Sequence, residues 1–427
     1  MRTSRPLLVR CCALLLFLLN CGDDGSSGST GGTGALGGGG SGGDGGAGGS
    51  GGATAGGGTG GTGGEGASIA TVPGPIGFEV IARDLPQAIY ATAHAQDEAR
   101  LYLAQKTGIV RLVLEGELQE TPFIDVSNLS EVPSTMEERG LLSIALAPDY
   151  PSSGRFFLFY STTDDRLVLG EFARSADPNV AEPEQKKTLL DFPIEPGNHI
   201  AGAMSFGPDG LLYISMGDGA TAQDLASKFG KILRVDVDTY PVPPTGNLTS
   251  KGADPHIFHV GFHNPWRISF DRESGDFFIA DVGLSPPREE VNRVPAGTMA
   301  SNFGYPLMSG FECNQEPCDL TTLTVPTFAY EHTDERCAIM GGQLYRGPRL
   351  QWLQGEYVFG DLCSGEILGL TLPEEGEPAL DLLTPTWIDP TQVPEKIVGI
   401  FEDAQGELIV VGLSGTVARM VPLDPQP

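Results

Sequence analysis

Basic residues are scarce in this chain of 427 residues: 26 lysines and arginines stand against 55 aspartates and glutamates, for a formal net charge of -29. That balance excludes a nucleic-acid or anionic-membrane partner, because counterion release needs a basic surface. It suits a neutral small ligand or bound cations instead. No second apolar run of membrane-spanning length follows the N terminus, so the bulk of the chain is expected to be soluble. Amphipathic helical patterning is also nearly missing, since the 60 glycines and 33 prolines interrupt almost every window long enough for a helix. An α/β fold, which needs helices between its strands, is thereby disfavoured.

What is there begins with a leader. Arg2, Arg5 and Arg10 precede the apolar run CCALLLFLLN, and Cys21 follows. A basic start, a short apolar stretch and a break into small residues read as an export signal over residues 1–20. Leu18-Leu19-Asn20-Cys21 resembles a bacterial lipobox, in which the cysteine becomes the acylated N terminus; an ordinary cleaved signal is the alternative. Residues 21–67 are Gly, Ser and Thr with little else, and 26 of the 60 glycines fall between Gly22 and Ala67. Such a segment has no apolar surface to offset its ordering entropy, so it is expected to act as a flexible tether reaching roughly 35–40 Å. With Gly22 rather than Asp after the cysteine, the expected location is the outer membrane or cell surface of a bacterial envelope.

Residues 68–427 form the remaining domain. Cys313, Cys318, Cys337 and Cys363 are an even number in an exported chain, which reads as two disulfides rather than a zinc site lacking paired C-x-x-C knuckles. Four cysteines allow three connectivities. Cys313 with Cys318 is favoured, because Cys337 and Cys363 flank the consecutive strand-like stretches GGQLYRG and GEYVFGD, whose ends meet in an antiparallel hairpin.

A turn of Pro, Asp and Gly followed by a short β-rich strand recurs along this domain. The equivalent strand position is Tyr102, Phe157, Tyr213, Phe278, Val358 and Ile409, at intervals of 55, 56, 65, 80 and 51 residues. Six copies of one turn-strand phrase predict an all-β fold, a six-bladed β-propeller, ahead of a sandwich or jelly roll. Ring closure then requires FEVIA (78–82) and TVARMVPL (416–423) to share a blade. The ligand site is expected at the mouth of the central channel.

The stretches ERGLLSIALAPDY, NHIAGAMSFGPDGLLYISMGDG, FGKILRVDVD, GFHNPWRISFDRESGDFFIADVG, REEVNRV, SNFGYP, GGQLYRG and GEYVFGDLCSGEILGL occur in the order of the glucose/sorbosone dehydrogenase family, and the domain resembles it from about residue 76 to 420. The family includes quinoprotein glucose dehydrogenases, aldose sugar dehydrogenases and the related domain of hedgehog-interacting proteins. The resemblance implies that His199 takes a sugar hydroxyl proton while hydride passes to pyrroloquinoline quinone, and that Asp218 orients the imidazole. It implies substrate contacts from Gln223, Glu138 and Arg139. It implies cofactor contacts from His263, Asn264 and Arg346, the last against the cofactor's carboxylates. Calcium would be held by the carbonyls of Gly283 and Leu284, with Glu290, beside Glu289, at a further calcium.

Two positions depart from the family. His263 stands where the family has arginine, and LCSGEIL lacks the basic residues that clamp a triply anionic quinone. Two functions follow. One is a quinone-dependent sugar or polyol dehydrogenase that passes electrons to an external acceptor. The other is a non-catalytic propeller that recognises a protein or glycan. The number of basic cofactor contacts discriminates between them, with Arg346 as the one retained. A calcium-dependent hydrolase is disfavoured, because carboxylates do not cluster in the turn motifs.

Overall fold

The computed structural model describes residue 74 and residues 76–130, 137–195, 199–283, 287–333, 335–373, 377–383 and 394–423. The expected leader, Cys21 and the linker at 21–67 lie outside the described residues.

Five antiparallel sheets of four strands and one of five make the six blades. Their inner strands are Ala88–Thr92, Leu141–Leu146, Ala201–Phe206, Asn264–Phe270, Ile339–Leu344 and Ile397–Glu402. Helix among the described residues is confined to short pieces such as Tyr150–Ser153. The repeat is borne out residue by residue: Tyr102, Phe157, Tyr213, Phe278, Val358 and Ile409 each lie in the second strand of a blade, and all six are buried. Fully burying such side chains stabilises by about 1.5–3 kcal/mol each, which explains why this position is apolar six times over.

The ring closes as expected. Ile76–Ala82 pairs antiparallel with Val417–Pro422, with Phe78 opposite Met420, so the first described strand completes the sixth blade. Both disulfides pair as favoured, Cys313 with Cys318 and Cys337 with Cys363. The long interval between the fourth and fifth phrases is taken up by an excursion between the strands Arg288–Val294 and Phe328–Glu331; it contains the Met308–Ser309 and Glu312–Cys313 hairpin.

Side chains of the inner strands reach between blades that are not neighbours in the ring. Tyr90 donates its hydroxyl to Met204 O at 2.6 Å, Trp266 Nε1 donates to Val398 O at 2.9 Å, and Arg267 Nη2 donates to Ile89 O at 2.8 Å. The buried Arg267 guanidinium lies over the rings of Trp266, Tyr90 and Phe401, with Cζ 4.5, 5.3 and 5.6 Å from their centroids. The channel is therefore plugged by stacked aromatic and cationic groups.

Candidate functional site at the channel mouth

Each inner strand breaks register near its first residues: at Ala88/Tyr90, Leu141/Ser143, Ala201/Met204, Pro265/Arg267, Ile339/Gly342 and Ile397/Gly399. A bulge leaves one residue unpaired and re-aims its neighbours. Six bulges at the same end make a rim where side chains turn away from the sheets. Glu138 lies just before the second inner strand, His199 just before the third, and Asn264 opens the fourth.

These three meet. His199 Nδ1 is 2.8 Å from Glu138 Oε1, and Asn264 Nδ2 donates to the same oxygen at 2.9 Å. The other carboxylate oxygen accepts the backbone N–H groups of Ile200 at 2.8 Å and Ala201 at 3.0 Å. Burial works to raise the Glu138 pKa, but the imidazole and these donors outweigh it and hold the group down to about 2. Burial likewise opposes charge on His199, yet Glu138, with a smaller contribution from Asp218, raises its pKa. A carboxylate oxygen only accepts here, so Nδ1 carries a proton and donates to Glu138. His199 Nε2 has no partner among the described residues.

Asp218 is not the orienting carboxylate. Its Oδ1 accepts the Thr221 N–H at 2.6 Å, and only its backbone O reaches His199, accepting the N–H at 3.1 Å. The reason is local: Asp218 closes its own turn, while Glu138, just ahead of the bulge at Leu141/Ser143, reaches the ring. Gly217 has a steric role here, since a Cβ on it would lie 2.5 Å from the His199 carbonyl carbon.

His263 adjoins the cluster, its ring 4.8 Å from that of His199 and 4.9 Å from Tyr305. Nδ1 lies 2.5 Å from Val282 O, which only accepts, so Nδ1 carries the proton. Burial, helped by the His199 charge, pushes its pKa down to about 4, so the ring is neutral. Asp281, which the sequence reading did not single out, fixes this corner by accepting the N–H groups of His263 at 3.1 Å and Asn264 at 2.7 Å. Gln223 forms a reciprocal amide pair with Asn302, at 2.8 and 3.1 Å, and donates to Tyr305 O at 2.7 Å. It holds the excursion against the mouth. Arg139 pairs at 2.5 Å with the exposed Asp165.

Arg346 is elsewhere. It grips Asp271 through two bonds of 2.8 and 2.7 Å, and Asp271 follows the last residue of Asn264–Phe270. That strand has seven residues, so Arg346 lies about 20 Å from Asn264, at the opposite end of the propeller. The expectation that it faces the cofactor is corrected: two residues beyond Ile339–Leu344, it leaves the sheet at the turn end.

The glucose/sorbosone dehydrogenase profile matches residues 86–410. The chain belongs to that family. It is 30% identical to mouse hedgehog-interacting protein over 305 residues, which cover 65% of this chain and 41% of that one. It thus spans about two fifths of that relative. It is 26% identical to the aldose sugar dehydrogenase YliI of Escherichia coli over 325 residues, covering 72% and 83%. Its fold matches the apo form of the soluble E. coli aldose sugar dehydrogenase (TM-score 0.64, 22% identity, 82% and 100% covered). It also matches the pyrroloquinoline quinone-bound aldose sugar dehydrogenase of Streptomyces coelicolor (TM-score 0.63, 19% identity, 82% and 98% covered).

The residues of this family member do not fit a triply anionic quinone. Where the resemblance calls for arginine, His263 is neutral and its N–H is already donated. In LCSGEIL the side chain is Glu366, paired at 2.6 Å with Arg336. Lys106 is nearly buried and donates to Glu137 O. Lys231 is wholly buried and donates to Thr221 O at 3.0 Å and Phe229 O at 2.6 Å. Burial pushes both lysines down to about 8. Lys396, ahead of the sixth inner strand, is exposed. The residues left undescribed inside the propeller contain no lysine or arginine in sequence. Lys396 and Arg139, the latter already paired with the exposed Asp165, are two cations against three carboxylates.

For calcium, Leu284 lies outside the described residues. Gly283 follows the second strand of the fourth blade, Phe277–Val282, and a Cβ on it would strike Arg288 O at 1.8 Å. Glu290 is directed to the Gly310 N–H at 2.7 Å. It sits opposite Asp281 in register, and burial chiefly, with like charge, pushes Glu290 up to about 7. Glu289 instead pairs with His332 and accepts the Ile339 N–H at 2.7 Å. Among the described residues no three His, Cys, Asp or Glu side chains gather as a metal centre.

Proposed function

We propose that this chain is a recognition member of the family whose channel mouth binds a neutral, hydroxyl-rich ligand such as a glycan. The carrying observation is the disposition of basic side chains: Arg346 is locked on Asp271 at the far end, and Glu366 stands where a clamp for an anionic cofactor would be needed. The mouth offers instead the open ring nitrogen Nε2 of His199, an unpartnered acceptor at the buried Asn264 Oδ1, and the aromatic face of Tyr305. Opposed donors and acceptors beside a ring suit a hydroxylated ligand.

The second reading, sugar oxidation, is favoured by the His199–Glu138–Asn264 cluster, since a histidine held by a carboxylate is the arrangement of a proton acceptor. Glu138, however, raises the pKa of the ring and so favours its protonated form, in which Nε2 donates.

A fluorescence titration with pyrroloquinoline quinone, with and without calcium, separates the readings. The recognition reading expects no saturable change up to ~100 μM, together with saturation-transfer signals from soluble oligosaccharides that vanish in His199→Ala. Saturable, calcium-dependent quinone binding that weakens in His199→Ala would overturn it and restore the dehydrogenase.

A further inference from the structure

A cavity of about 180 Å³ lies between the third and fourth blades, at the end of the propeller away from His199. Its rim includes Pro208 and Asp209 in the turn after Ala201–Phe206 and Gly275 in the turn after Asn264–Phe270. It shares no residue with the mouth.

Its walls are aromatic. Tyr213, Phe258, Phe270 and Phe277 pack edge to face and face to face, with centroid separations of 4.5 to 5.6 Å among the pairs in contact. Arg234 and His259 line it as well. Arg234 lies over the Phe258 ring, with Cζ 4.0 Å from the centroid. Its Nε and Nη2 are well used, on Asn247 Oδ1 and Thr245 O, both at 2.8 Å. Nη1 has only distant partners, the Tyr213 hydroxyl at 3.4 Å and Asp209 Oδ2 at 3.6 Å.

His259 is fully buried, and its Nδ1 accepts the Ser301 N–H at 3.1 Å. The ring proton therefore sits on Nε2, which has no hydrogen-bond partner among the described residues. An unpaired buried donor costs about 1–3 kcal/mol, so it calls for an acceptor. Burial, with the nearby Arg234 charge, pushes His259 down to about 3, so the ring stays neutral throughout the physiological range.

We propose that this cavity is a second ligand site, taking a small aromatic carboxylate. Space for a six-membered ring is present, since an apolar cavity of about 150 Å³ holds benzene. The ring would stack among the four aromatic walls. The carboxylate would answer the two under-used donors, Arg234 Nη1 and His259 Nε2, through charge-assisted hydrogen bonds. A polyol would leave the aromatic walls unmatched, and a cation would meet Arg234. The site is independent of the reading given to the mouth.

The test is a titration of the full chain with benzoate, followed by saturation-transfer NMR and calorimetry, with benzyl alcohol as the neutral counterpart. Benzoate is expected to saturate and to bind at least about tenfold tighter than benzyl alcohol. Ala296→Trp places a bulky ring at the exposed rim and is expected to abolish binding without lowering the melting temperature. His259→Phe keeps an aromatic ring while removing the donor, and is expected to weaken benzoate several-fold but leave benzyl alcohol unchanged. His199→Ala is expected to have no effect. Failure of benzoate to saturate, binding that survives both cavity variants, or loss of binding in His199→Ala would each overturn the proposal.

Discussion

The two ends of the propeller are built from the same six strands yet carry opposite chemistry. At the mouth each inner strand begins with a bulge, and the polar groups converge: Glu138 alone gathers His199, Asn264 and two backbone N–H groups. At the turn end the strands run in regular register into Asp and Gly turns, and charge is neutralised in place, as in the Arg346–Asp271 pair. A repeated β-unit fixes both ends geometrically. At the mouth the bulges turn the side chains at the start of each inner strand away from the sheet.

The strongest way to break this contrast is to loosen the mouth itself. Cys337 precedes the fifth inner strand and Cys363 follows its hairpin partner, so their disulfide ties the two at the mouth end. Loop-closure entropy over a separation of 26 residues predicts a loss of about 3.5 kcal/mol for Cys337→Ser with Cys363→Ser. The five-residue separation of Cys313 and Cys318 predicts about 2 kcal/mol for the corresponding pair. Chemical denaturation of the two double variants checks the order; equal losses would show that the fifth blade holds its mouth end without the bridge.

Glu138→Ala comes next. It leaves an imidazole, an amide and two backbone donors without their acceptor, and is expected to cost about 3 kcal/mol, well above the ~1 kcal/mol of an average substitution. The pH dependence follows from both partners. The Glu138 contribution is present above the ordinary carboxylate range and is lost as pH falls towards about 2. The His199 contribution is present below the ordinary imidazole range and is lost as pH rises through its raised value. Melting temperature against pH should therefore show a maximum in mildly acidic buffer that is blunted in Glu138→Gln. A profile unchanged by that variant would count against the pair.

The fold was legible because six apolar positions and their turns recur, and burial acts on each copy alike. The disulfides were legible because hairpin flanks meet. The site was only half legible. His199 and Asn264 were found through their motifs, but which carboxylate meets the imidazole depends on the path of the chain from Glu138 into Leu141–Leu146, and spacing carries no trace of that. Arg346 misled for a related reason: GGQLYRG names the strand but not the end at which its last residue emerges. Asp281 works through backbone donors of a different strand, which no local pattern signals.

A narrower test concerns the charge at the mouth. An NMR titration of the His199 ring should give a pKa above the ordinary imidazole value in the parent chain. In Glu138→Gln the burial remains while the opposing carboxylate is gone, so the pKa should fall below that value. A ring that titrates identically in both would remove the electrostatic basis for favouring the protonated form of His199, and would return weight to the base.

The smallest effect expected at the mouth is that of Arg346→Met. The substitution removes two charge-assisted hydrogen bonds to a buried carboxylate, so stability should drop by about 2 kcal/mol. Because the pair lies a full strand length from Asn264, neither the His199 titration nor ligand binding at the mouth should change. This variant therefore separates the two ends directly. Loss of stability with an intact mouth fits a structural pin on the turn end, whereas a mouth ligand that weakens with Arg346→Met would mean that the residue acts where the family's cofactor contacts lie, and the assignment of the two ends would have to be reversed.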